Sequence, residues 1–129
     1  MRKALFRLIT TDAIVASLIP PEQWYERSAV PDTPPKPFAV LAFTGRARVG
    51  KGLRSQSIQV WAYQERGSYD LIEKVLNRVE VILEEVADFK YLGERIAAAT
   101  PRGINADLYD DAWRANTGSL DAVVVGGYV

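Results

Sequence analysis

SIQVWAYQERGSYDLIEKVLNRVEVILEEV, residues 57–86, changes its hydrophobic period once, and that change decides the fold. Ile58, Val60 and Ala62 alternate with Gln59, Trp61 and Tyr63, which is a strand pattern. Ile72, Val75, Leu76, Val79, Ile82 and Val86 then recur at helical spacing. Gly67 and Ser68 mark the switch, with Ser68 as the expected N-cap. Asp70 and Glu73 fall in the first turn, where the helix dipole favours acids. The spacing predicts a strand turning into an amphipathic helix of about five turns, roughly 25 Å long. Sheet plus helix is the expected core, with the other segments docked on it.

Upstream, Phe38 to Val49 reads as a strand. A turn at Gly50-Lys51-Gly52 returns it through Leu53 to Gln64. Counting around that turn sets Val49 opposite Leu53, Ala42 opposite Val60, Leu41 opposite Trp61 and Arg48 opposite Arg54. One face then holds Phe38, Val40, Ala42, Ile58, Val60 and Ala62, and the other Leu41, Phe43, Trp61 and Tyr63. Both faces are apolar near the base of the hairpin. Two helices cover one of them. The second needs other strands to curl around it or a neighbouring subunit, and the expectation is an oligomer.

Residues 2–19 have a helical stripe of Leu5, Leu8, Ile9, Ile14, Leu18 and Ile19. The first piece should end near Thr10, with Thr11-Asp12 capping a shorter second piece and Pro20-Pro21 stopping it. Residues 20–37 hold six of the chain's seven prolines and form an extended connection whose aromatics pack on the sheet edge. They lack a P-x-x-P array with a basic anchor. After the helix, Asp88 to Gly93 reads as a loop, Arg95 to Thr100 as a short strand and Pro101-Arg102-Gly103 as a turn. Trp113 to Val125 reads as the last strand, with Gly126-Gly127 loosening the tail. The expected class is therefore α+β: a mainly antiparallel sheet with a long basic β-hairpin, packed against an N-terminal helix and one long amphipathic helix. Residues 1–129 should form a single domain.

Composition narrows the chemistry. Charged residues make up 25% and apolar residues 48%, ordinary values for a globular chain. The 16 basic and 16 acidic residues cancel, so charge must be examined locally. With no cysteine and no histidine, Ser-His and Cys-His hydrolases and His-ligated zinc sites are excluded within one chain. No apolar run is long enough to cross a bilayer, and no cleavage site follows the basic start, so no membrane partner is expected.

Gly45-Arg46-Ala47-Arg48-Val49-Gly50-Lys51-Gly52 nearly matches a phosphate loop. However, Gly52 replaces the Mg²⁺-binding hydroxyl residue, and a strand rather than a helix follows. The segment is more informative as a charge pattern. Arg46, Arg48, Lys51 and Arg54 cluster with no acid between Phe38 and Gln64. They are either a solvated, edge-protecting arm or an arm for an acidic surface or nucleic-acid backbone. No aromatic lies among them for base stacking. Asp107, Asp110 and Asp111, around Tyr109, match no EF-hand spacing. They form either a solvated acidic loop or an interface that pairs with a neighbour's Arg46, Arg48 or Arg54. Trp24, Trp61 and Trp113 are expected as core or interface anchors rather than a ligand cage.

The series of a short N-terminal helix, a proline-rich connection ending in Pro37-Phe38-Ala39-Val40, a basic hairpin, Val60-Trp61-Ala62-Tyr63, Gly67-Ser68-Tyr69 before a helix, and Asp107-Leu108-Tyr109-Asp110-Asp111 before a final strand resembles the tail terminator (tail completion) proteins of long-tailed bacteriophages, actinobacteriophage type. The resemblance covers most of the chain. It implies a non-enzymatic structural virion protein without cofactors, assembled in the host cytoplasm. Such subunits form a ring, usually a hexamer, that caps the tail tube and stops its polymerisation. The ring docks to head–tail connector proteins and lets DNA through its lumen without sequence readout. The rivals are another neck component (head-closure or adaptor), a nucleic-acid-binding module, and an enzyme using carboxylates or lysine.

Overall fold

The computed structural model describes residues 1–128. Helix α1 spans Arg2–Thr10 and α2 Ala13–Leu18. Asp12 separates them: its Oδ2 accepts from the Val15 N–H at 3.1 Å, capping α2, and the same carboxylate receives two hydrogen bonds from Arg78. The Arg78 guanidinium holds the Asp12 carboxyl below its ordinary value. Strand β1 (Trp24–Glu26) pairs parallel with β2 (Phe38–Gly50), which forms a hairpin with β3 (Leu53–Gln64). Helix α3 covers Asp70–Glu85, followed by β4 (Phe89–Tyr91), β5 (Glu94–Asp110) and β6 (Ala115–Tyr128). The sheet order is β1-β2-β3-β6-β5-β4. The helices cover one face, where Leu5, Ile9, Ile72, Leu76, Val79 and Leu83 pack on Leu41, Val60 and Leu120.

Four expectations are corrected. The first is the balance of the fold. Strands take 48% of the chain and helix 29%, in a six-stranded, half-barrel sheet with three short helices. It is not a hairpin carrying an N-terminal helix and one long helix. The extra sheet comes from the late chain. Pro101 and Gly103 do not turn the chain but sit in a β-bulge, so β5 runs on for 17 residues. Phe89–Tyr91 is a strand rather than a loop, and Asp107-Leu108-Tyr109-Asp110 belongs to the end of β5.

The second is the register of the hairpin. Arg48 faces Arg54, but Val40 faces Trp61 and Leu41 faces Val60, and Gly50 rather than Val49 faces Leu53. An irregularity between Phe43 and Arg46 places Thr44 and Gly45 opposite Ser57 alone. One extra residue moves every side chain before it to the other face. Ala39, Leu41 and Phe43 therefore join Ile58, Val60 and Ala62 under the helices, while Phe38 and Val40 join Tyr63 behind the sheet. Gln56 secures the bulge from inside: its buried amide donates to the carbonyls of Thr44, Gly45 and Ser57.

The third is the second sheet face. A single copy does not leave it bare. Phe38, Val40, Tyr63 and Ala115 are buried there, flanked by Tyr25 and Val30 of the proline-rich connection and by Trp61 and Trp113. Phe38 stacks on Tyr63 at 4.4 Å between ring centroids, and Trp113 meets both edge-on. The chain covers this face itself, so unburied apolar sheet is no argument for an oligomer.

The fourth concerns glycines. Gly126 and Gly127 lie in β6, not in a loose tail. A side chain at Gly127 would run into the Gly52 carbonyl, and one at Gly126 into the Arg95 carbonyl. The approach at Gly127 sets the turn of the β2–β3 hairpin against the end of β6, and the one at Gly126 sets β5 against it.

Candidate functional site: two oppositely charged hairpin ends

Antiparallel pairing separates the two charged segments. Arg54 lies beside Gly126, and Gln64 beside Asn116. The β2–β3 turn therefore sits at one end of the sheet and the β5–β6 turn at the other. Arg54 and Gln64 are ten residue steps apart along β3, about 33 Å at roughly 3.3 Å per residue. The predicted basic and acidic residues thus gather into two sites, one per end, which cannot meet within one chain.

At the basic end, Arg46, Arg48 and Lys51 are exposed and Arg54 is half-buried. The bulge puts Arg46, Arg48 and Arg54 on the helix side of the sheet, where the helical layer ends at Met1 and Arg2. A hollow of about 320 Å³ opens there, walled by those three arginines with Arg2, Phe43 and Tyr128. Arg2 lies over the Phe43 ring at 4.3 Å and bonds to Glu26 at 3.0 Å. Sequence reasoning missed Arg2, because the register that brings α1 to this corner depends on the fold. Behind it, Glu94 accepts from the N-terminal ammonium and the Ala4 N–H, each at 3.0 Å. Burial works to raise the Glu94 carboxyl, but these donors hold it below its ordinary value.

At the acidic end, Asp107 takes a left-handed backbone (φ 59°) beside a bulge between Asn105 and Leu108. Asp110 Oδ1 accepts from the Trp113 N–H at 2.9 Å, closing the β5–β6 turn. Asp111 is exposed, and Leu108 and Tyr109 present 38% and 43% of their surface. Arg66 lies over the Tyr109 ring at 5.4 Å. Behind this end, Arg27, Trp61, Tyr63, Asp110 and Trp113 line a hollow of about 300 Å³.

Burial, with the Asp110 charge adding to it, pushes the Tyr63 phenol up to about 12 from its ordinary 10.0. A raised folded value means that the fold favours the neutral phenol. Its contribution to stability is full below pH 10 and is lost as pH climbs towards 12. Alkaline unfolding followed by circular dichroism should show a steep loss across that window. Tyr63→Phe should flatten it, and an unchanged slope would contradict the assignment.

Among the described residues, no group of acids could hold a metal ion, and no helix is long and apolar enough to cross a membrane. No family model matches the sequence, and no curated protein matches it. The fold does have a solved counterpart. A chain in the virion of a native gene transfer agent particle superposes with a TM-score of 0.68 at 15% identity, covering 99% of this chain and 93% of that one. At that identity the likeness is one of fold. It spans nearly the whole of this chain.

Proposed function

We propose that this chain is a structural protein of a phage-type virion and, more finely, the terminator ring subunit of a long tail. The observation that carries the reading is the fold shared, end to end, with a chain of a gene transfer agent virion. The family resemblance of the sequence supports the finer assignment. In this role copies of the chain close into a ring on the finished tail tube and block further subunits. The ring also offers its outer surface to the head connector, and DNA crosses the lumen without being read. The chain acts by shape and charge, with no catalytic step and no cofactor. The arm carrying Arg46, Arg48, Lys51 and Arg54 is the segment that reaches beyond the packed core. Its contacts are a neighbouring copy, the tube, the adjoining ring or the passing DNA.

Deletion of the gene in a producing phage, followed by electron microscopy of the lysate, tests the reading. Tails of uncontrolled length are expected. Tails of normal length that lack heads would instead assign the chain to head closure or adaptor duty.

A further inference from the structure

Arg48 and Arg54 face each other across the hairpin, a like-charge arrangement that costs stability on a sheet. Neither guanidinium has a hydrogen-bond or ion-pair partner among the described residues, and Arg46 reaches only the Gln56 amide oxygen at 3.4 Å. The opposing charges are therefore unrelieved within the described residues. They overlook a concave hollow rather than a flat stripe, with Phe43 and Tyr128 as apolar walls. A planar guanidinium pairs best with a carboxylate or phosphate held bidentately. The combination of guanidinium and aromatic walls calls for an anion attached to apolar groups.

The far end of the same sheet displays that combination. Asp107 and Asp111 have no ion-pair partner among the described residues, and they flank the half-exposed Leu108 and Tyr109. We propose that the arginine hollow at the β2–β3 end is a carboxylate receptor whose occupant is the Asp107–Asp111 end of a second copy of this chain. This deepens the ring reading and rests on it for the identity of the occupant. Two different patches at opposite ends make a heterologous, head-to-tail contact, the kind that closes into a ring when its rotation allows. Asp111 enters the arginine hollow, and Tyr109, which points to the opposite sheet face from Leu108, lies against Phe43 and Tyr128. Asp110 stays in its own turn, holding the Trp113 N–H.

The test is sedimentation of the full chain at low and high salt, with variants first checked for native circular dichroism. Wild type should self-associate, less so at 1 M salt, where screening shortens to about 3 Å. R48E/R54E should weaken association about tenfold or more. Asp107 is changed to Asn, which tolerates its left-handed backbone, so D107N/D111K should weaken association similarly. The chain carrying all four changes should associate more tightly than R48E/R54E. A wild type that stays monomeric at millimolar concentration and low salt would overturn the proposal. So would charge-changed variants that associate like wild type, or R48E/R54E that loses only affinity for duplex DNA. The tail-length experiment is independent of these results. Uncontrolled tails in the deletion, with normal assembly of R48E/R54E, would remove the receptor and leave the terminator role standing.

Discussion

Phe38→Ala is expected to lower the unfolding free energy by about 3–5 kcal/mol, read from urea or guanidinium denaturation. Phe38 is fully buried at the start of β2. Its ring stacks on Tyr63 and meets the edge of Trp113 at 5.3 Å. Truncation removes the middle of an aromatic cluster, and aromatic pairs are worth about 0.5–1.5 kcal/mol beyond the area they bury. The β1 pairing just after it, at Ala39, Val40 and Leu41, holds the backbone in place. Collapse into the gap is therefore limited, and the larger end of the range is expected. Phe38→Leu should recover much of the loss. A cost below about 1 kcal/mol would mean that the single chain does not close this face, and that a neighbour does.

Leu76→Ala should cost about 2–5 kcal/mol in the same measurement. Leu76 is fully buried on the inner side of α3. It descends with Ile72 onto Gly118 of β6. A Cβ at Gly118 would stand 3.0 Å from Ile72 Cγ2, 3.2 Å from Leu76 Cδ1 and 2.9 Å from the Asn105 carbonyl oxygen. The helix sits close to the sheet because this position carries no side chain. Nothing on the sheet can then grow into the space that Leu76 leaves. A loss under about 1 kcal/mol would show that α3 shifts to refill it.

Gly118 lies in Asn116-Thr117-Gly118-Ser119, a run with the composition of a turn. It is nonetheless buried near the start of β6, because α3 needs a gap there and Thr117 donates to the Ala62 carbonyl across the sheet. The start of α3 likewise relies on a residue outside it. Ser68 Oγ accepts only from the Asp70 N–H, while the Leu71 and Ile72 N–H groups donate to Gln64 Oε1 at the end of β3. A cap supplied from another strand leaves no signature at helical spacing.

What the sequence determined by itself was local. The helix break at Thr11-Asp12 follows from a capping carboxylate next to the residues it serves. The clustering of Arg46, Arg48, Lys51 and Arg54, and of Asp107, Asp110 and Asp111, is visible because those residues are neighbours in the chain. The opposition of Arg48 and Arg54 is legible because few residues separate them from the turn. What required the tertiary structure was everything counted across partners. One extra residue at Thr44-Gly45 reversed which half of β2 faces the helices. A second bulge carried β5 through Pro101 and Gly103 and made the molecule mainly sheet. The packing of the proline-rich connection and Trp113 closes the second sheet face, which strand alternation alone leaves open. Strand direction alone then sent the two charged ends to opposite poles. Side-chain period is a property of one strand, whereas register and coverage belong to pairs of segments that the chain brings together only on folding.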